Sequence, residues 1–389
     1  MTSGPTEDRR LHARVDACPG ALQLHQAADG GLARVRIPGG ALTAAQLRVL
    51  GAAARDLGDG ALELTSRGNL QLRGLPPGAD GELGARLADA GLLPSETHER
   101  VRNVLASALS GRTGGLLDVR PWVPEFDAAL CADAGLADLP GRYLAAFDDG
   151  RGDVAGLGAD VGLLALDDRT VALLLAGADS GVRTTPDGAV AIALAATRAF
   201  QRERAAQGGT AWRLAELAAG PARVAAALGG STSAPVTVPP APLTGPAGAV
   251  PQVDGRTALV AVVPLGRLTA DQADLLADTA ATDVQVTPWR SVVLPDLTDA
   301  TAAAALSATG LVLDPGSPWL TVTACAGRPG CAKSLADVRG DAARAVATGT
   351  LPLQGARQHW SGCERRCGRP HGDVGDVVAT RSGYRIAAT

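Results

Sequence analysis

Between residues 32 and 50 the spacing of apolar positions changes period. Ala33, Val35 and Ile37 alternate with Arg34 and Arg36, the two-residue repeat of a strand with one buried face. Beyond Pro38-Gly39-Gly40, Leu47, Leu50 and Ala54 recur at helical intervals, and Thr43 stands where a helix N-cap is needed. At 65–75 alternation returns, with Leu70 and Leu72 on one face and Asn69, Gln71 and Arg73 on the other. The segment predicts strand, turn, helix, strand.

The pattern then recurs. Residues 258–276 align without a gap on 32–50, setting Pro264 on Pro38, Gly266 on Gly40, Leu268-Thr269-Ala270 on Leu42-Thr43-Ala44 and Gln272 on Gln46. After helices of slightly different length, 287–297 aligns on 65–75. Arg36, Arg67 and Arg73 of the first copy face Val262, Trp289 and Pro295 in the second. A duplicated unit that keeps a cationic face in one copy only points to a ligand there. Patterning alone equally allows a solvated outer face.

The chain divides into a half-domain at 10–80, an α/β region at 95–228, a linker at 229–252, a second half-domain at 253–315 and a C-terminal piece at 316–389. In the α/β region VGLLAL and TVALLLAG read as strands, and 188–228 reads as helix with a break at Gly208-Gly209. The linker is rich in Pro, Gly, Ser, Thr and Ala, poor in charge and without periodicity.

Composition narrows the function classes. At 389 residues and 46% apolar the chain suffices for several cores. A net charge of −4 argues against a nucleic-acid surface. The 36 basic residues include one lysine, Lys333, so anionic ligands must be met by arginine, whose planar fork pairs with carboxylates. The start MTSGPTEDRR leads into no apolar signal core, and the longest apolar run, at 171–178, is too short to span a bilayer. We therefore expect a cytoplasmic protein with reduced thiols and no membrane partner.

Four of the six cysteines cluster late in the chain, as Cys325-x5-Cys331 and Cys363-x3-Cys367. Ala-Gly-Arg-Pro-Gly between the first two makes a small loop able to curl around a bulky group and aim amides at it. An i, i+4 spacing places Cys363 and Cys367 on one side of a helical turn. Such a quartet suits a 4Fe–4S cluster better than structural zinc, whose cysteine pairs are more tightly spaced, or disulfides in a reducing compartment. Cys18 and Cys131 stand alone and read as inert, partly buried thiols. Among the histidines His12, His25, His98, His359 and His371 no two-histidine, one-carboxylate motif is visible; His359 and His371 flank the second cysteine pair.

The C-x5-C…C-x3-C-Gly order, Arg36-Ile-Pro-Gly-Gly, Leu42-Thr43-Ala44-Ala45-Gln46 and the duplication resemble the nitrite and sulfite reductase superfamily over nearly the whole chain. Within it the chain is similar to the precorrin-3B synthase family through DACPGALQLHQAADGGLARVRIPGG, ELTSRGNLQLRGL, LPGRYLAAFDDGRGDV at 139–154 and TPWRSVVLPDL. The resemblance implies an α+β fold. Duplicated ferredoxin-like half-domains join two α/β nitrite/sulfite-reductase-type domains with pseudo-two-fold symmetry, the second short and carrying the cluster.

The resemblance also implies a monooxygenase using dioxygen and an electron donor (reduced nicotinamide, or a ferredoxin or flavodoxin system) on precorrin-3A. C20 would be hydroxylated and a γ-lactone closed from the ring-A acetate. Its cofactors would be a 4Fe–4S cluster on Cys325, Cys331, Cys363 and Cys367 and a mononuclear non-haem iron. Arg36 and Arg102 match basic family positions, whereas Arg142-Tyr143-Leu144 replaces a K-x-K-type pair. With Arg67 and Arg73 these arginines are expected to ring the carboxylates of the tetrapyrrole. Cys367 matches the cysteine that bridges cluster and haem iron in the reductases. The alternatives are a sirohaem-dependent sulfite or nitrite reductase and a non-catalytic iron–sulfur scaffold.

Overall fold

A computed structural model describes residues 18–229, 232–370 and 372–388. His12 and His371 lie outside them. The two repeats form two sheets of identical order. In the first, His25–Ala27, Gly30–Val35, Leu70–Leu75 and Ala61–Leu64 lie side by side, followed by Arg267–Thr269 from the second repeat. In the other, Gly248–Pro251, Thr257–Val262, Ser291–Leu297 and Asp283–Val286 are followed by Ala41–Thr43 from the first. Each half thus lends its partner one short antiparallel edge strand, in the registers Leu268↔Leu62 and Val284↔Leu42.

The helices behind the two loaned strands, Ala44–Leu57 and Ala270–Thr279, start alike. Thr43 and Thr269 each accept from the amide of the residue three on, and Gln46 and Gln272 return the bond. The helices pack together, and one core runs through both sheets, from Leu50, Leu62 and Leu72 to Leu276, Val284 and Leu294. The exchange leaves neither half with an independent core.

A five-stranded sheet follows the first half. Val104–Ala106, Ala145–Asp148 and Val161–Ala165 run parallel, and Val171–Leu175 and Ala178–Thr184 return antiparallel. Helix Ala189–Ala206 covers it, and the chain turns at Gly208-Gly209 before helix Gly220–Leu228. The C-terminal sheet repeats this plan with one strand fewer: Val322–Ala324, Gln358–Ser361 and Gly375–Thr380 are parallel and Gly383–Ala387 antiparallel. The linker expected over 229–252 ends differently, because its last residues are the edge strand Gly248–Pro251.

Candidate functional site

The cysteines sit at the carboxyl ends of the parallel C-terminal strands, where α/β sheets place ligands. Cys325 follows Val322–Ala324, and its amide donates to the Trp360 carbonyl of the neighbouring strand at 2.9 Å. Gly362, just before Cys363, donates its amide to Cys325 Sγ at 3.2 Å and accepts from the Leu335 amide at 2.8 Å. The loop carrying Cys331 is thereby stitched to the turn carrying Cys363. No side chain fits at Gly362, where a Cβ would lie 1.8 Å from Ser334 Oγ.

The Cys363–Cys367 segment is not the helical turn that its spacing suggests. It runs as turns, with Arg366 at φ 47 breaking the right-handed path. Burial pushes the Cys367 thiol up, and Cys325, Cys363 and Cys331 lie close enough to push it further. Cys367 is exposed and the other three are half-buried. Four thiols carried by one loop and one turn, one already accepting a backbone amide, are a donor set of the kind an iron–sulfur cluster takes.

His359 is fully buried beneath this turn. Its Nε2–H donates to the Cys367 carbonyl at 3.2 Å, and Nδ1 pairs with the Thr323 hydroxyl at 2.9 Å. Burial and Arg290 push its pKa down to about 4, so it is neutral at neutral pH. Both nitrogens are engaged, which makes it a brace for the turn. His98 is similarly occupied, by Ser95, Thr97 and the Asp133 carbonyl.

Beside the cysteines a cleft of about 460 Å³ opens between the halves. Arg67 and Leu144 line it from the first half, Trp289 and Arg290 from the second, and Arg357 and Arg369 from the C-terminal domain. Linker residues 240–243 form a further wall, pinned by Trp289 Nε1–H donating to the Pro242 carbonyl at 3.0 Å. The volume falls within the range of cofactor and substrate sites, and the walls are cationic. Arg67 carries no ion pair among the described residues; burial and Arg213 push it down to about 10. Arg213 is held by Asp160 at 2.9 Å and Arg369 by Asp376 at 2.8 Å.

The arginines expected around the ligand therefore separate. Arg67 lines the cleft. Arg36 lies nearby, almost wholly buried, bonded to the Arg100 and Arg34 carbonyls, with Nη2 lacking a partner among the described residues. Burial, with Arg34 adding to it, lowers its pKa to about 9. Arg73 is elsewhere: it forms a two-pronged pair with Asp29 at 2.9 and 3.0 Å and donates to the Gly330 carbonyl, between Cys325 and Cys331, at 2.8 Å. Arg102 is held by both Asp127 oxygens at 2.8 and 2.6 Å. Arg142 is exposed and stacks over Trp212 at 4.5 Å. Period-2 spacing gave the face of Arg73 but not the acid waiting on it. The sequence reading also missed Arg213, Arg290, Arg357 and Arg369; for Arg290 alone the repeat alignment held a signal.

In the first α/β sheet the equivalent strand ends carry Ser107 and the trio Asp148, Asp149 and Asp153, whose ligand atoms all lie within 4.8 Å of one another. Asp148 is spent on the amides of Gly150, Gly152, Val154 and Ala155, and Asp149 on Arg151. An all-carboxylate set with two members occupied does not fit a mononuclear non-haem iron. No other set of ligands for that iron is evident among the described residues.

Paired half-domains exchanging strands, with cysteines at the end of the second α/β sheet, define the nitrite and sulfite reductase class. The nitrite/sulfite reductase ferredoxin-like half-domain family matches residues 25–90 and 250–310. A precorrin-3B synthase from Sinorhizobium sp. is 30% identical over 96% of this chain and 82% of its own length. A ferredoxin–nitrite reductase from Synechococcus elongatus is 33% identical over 31% of this chain and 25% of its own. The Mycobacterium tuberculosis NirA protein superposes with a TM-score of 0.73 at 23% identity, covering 92% of this chain and 74% of that one. The chain belongs to the precorrin-3B synthase family, a family of enzymes. No described helix is long and apolar enough to cross a membrane.

Proposed function

We propose that the protein is a monooxygenase of aerobic corrin biosynthesis that converts precorrin-3A to its C20-hydroxylated γ-lactone. The observation that carries this reading is the cleft: Arg67 and Arg290, without carboxylate partners among the described residues, face a volume that Arg369 and Pro370, just past Cys367, also line. A uroporphyrinoid fringed with acetates and propionates supplies the missing anions. Each guanidinium–carboxylate bond sheltered from water contributes about 1.5–3 kcal/mol. Cys325, Cys331, Cys363 and Cys367 would hold a 4Fe–4S cluster, which supplies single electrons to a reaction that consumes two.

The protein's own residues orient and shield. Arg67 and Arg290 fix the macrocycle by its rim. Trp289 and linker residues 240–243 exclude water from their side of the cleft. Of the dioxygen atoms one enters the product and the other leaves as water, with two electrons and two protons drawn from the donor system and solvent. The anaerobically prepared protein, given precorrin-3A, dioxygen and a reductant, should yield a product heavier by one oxygen atom that shows a lactone carbonyl. An unchanged substrate under these conditions, with reduction of sulfite or nitrite instead, would favour a sirohaem-type reductase. Sharp porphyrinoid absorption bands in the isolated protein would point the same way.

A further inference from the structure

The gap-free repeat alignment sets Arg290 opposite Gly68. Both residues have left-handed backbone, φ 65 at Gly68 and φ 58 at Arg290, a conformation that favours glycine. The second copy makes the same exchange at Leu265, φ 56, opposite Gly39, φ 64. Both replacements reach into the C-terminal domain. Leu265 packs against its core, and Arg290 Nη2 donates to the Gly368 carbonyl, one residue past Cys367, at 3.2 Å. In the first copy the first α/β domain closes on these positions instead: a Cβ at Gly39 would lie 3.0 Å from Val123 and one at Gly68 3.5 Å from Leu105.

Arg290 also lines the cleft, and among the described residues no carboxylate pairs with it. Glu63, the acid within electrostatic reach, is held by Arg339 at 2.7 Å. Arg357 and Arg339 add positive charge around it. Burial first, then these two cations, push its pKa down to about 10, which leaves it charged at neutral pH. A charged side chain placed on a backbone suited to glycine, without a counter-ion, is provision for an anion from outside the chain.

We propose that Arg290 is a positioning residue that takes a carboxylate of the macrocycle on its cleft side while holding Gly368 on the other, coupling occupancy of the cleft to the electrostatics of the cluster. The inference rests on the macrocycle reading given above. An uncompensated cation beside the cluster favours its more negative, reduced state and raises its reduction potential. A bound carboxylate cancels that charge, so the potential should fall when the cleft fills.

The test uses the full chain with reconstituted cluster and uroporphyrin III as the probe. Binding is read from porphyrin fluorescence and the midpoint potential from an EPR-monitored redox titration, with and without porphyrin. The wild-type protein should bind and its potential should drop on binding. R290G restores the residue of the other copy and relieves the left-handed strain, so its melting temperature and iron content should hold. It should bind about 10- to 100-fold more weakly, start from a lower potential and show no shift on binding. R290K should keep most of the starting potential and recover part of the affinity.

Wild-type affinity and potential in R290G would overturn the role of Arg290 and leave the macrocycle reading standing. Loss of iron and melting temperature in R290G would make the residue purely structural and overturn the proposal equally. Failure of the wild-type protein to bind uroporphyrin III would defeat the macrocycle reading, and this inference with it.

Discussion

Replacing Arg73 with methionine separates a ligand-binding arginine from a structural one. Its guanidinium, 7% exposed, makes two bonds to Asp29 and a third to the Gly330 carbonyl in the Cys325–Cys331 loop. At Gly330 a Cβ would lie 2.8 Å from Asp29 Oδ2 and 3.0 Å from Arg73 Nη2, so the loop is seated directly on this pair. Methionine fills the volume but leaves Asp29 without its cation, whereas Glu63 keeps Arg339 at 2.7 Å. Breaking a buried pair costs about 3–5 kcal/mol, and the partial exposure of Asp29 brings the expectation down to about 2–4 kcal/mol. The loss should appear as a lower urea midpoint, and because the Gly330 clamp goes too, iron and sulfide retained after reconstitution should fall. Porphyrin affinity per folded, cluster-loaded molecule should stay within about threefold of wild type, a difference under 1 kcal/mol. Normal stability and cluster content combined with lost porphyrin affinity would refute this placement and return Arg73 to the ligand.

Three further outcomes follow from the geometry. Burial, with Asp148 beside it, pushes the Asp153 carboxyl up to about 7 from 3.8, and its close bonding partner is the Ser107 hydroxyl. Folded Asp153 keeps its proton between about pH 4 and 7, where the unfolded chain has lost it, so it lowers stability as pH rises through that window. Asp153→Asn should therefore be more stable than wild type at pH 8 by on the order of 1–3 kcal/mol and equal to it at pH 4; an unchanged slope in urea midpoints across this range would contradict the assignment. Cys331→Ser should lose most of the cluster iron, whereas Cys131→Ser, half-buried beside the Arg102–Asp127 pair, should keep it by colorimetric iron assay. Trp289→Phe removes the bond to the Pro242 carbonyl, worth about 1 kcal/mol, and should speed proteolytic cleavage within 232–247; equal cleavage rates would show that the linker wall is held otherwise.

Much of the fold was legible because it rests on local patterns. The Thr43 N-cap, the alternation at 65–75 and the duplication are properties of short segments, and each is present. Strand exchange was not legible. Ala41–Thr43 and Arg267–Thr269 are three residues long and pair across the repeat, a non-local choice that no local period encodes. At the site, cysteine spacing located the thiols but misjudged the path between Cys363 and Cys367, since nothing in Glu-Arg-Arg announces a left-handed Arg366. The arginines were read by type, and type does not reveal pairing. Asp29 and Asp127 claim Arg73 and Arg102 from 44 and 25 residues away. Arg67 is left unpaired among the described residues because Asp160, the acid within electrostatic reach, is taken by Arg213 at 2.9 Å.

The central claim is that one loop and one turn of the C-terminal domain hold a 4Fe–4S cluster at the edge of a cationic cleft. Mössbauer spectroscopy of protein reconstituted anaerobically with iron-57 tests it most directly. The account predicts the delocalised spectrum of a 4Fe–4S cluster in the wild-type chain and its loss in Cys325→Ser. A spectrum of isolated ferrous or ferric ions alone, or four-sulfur coordination filled by zinc in elemental analysis, would contradict it.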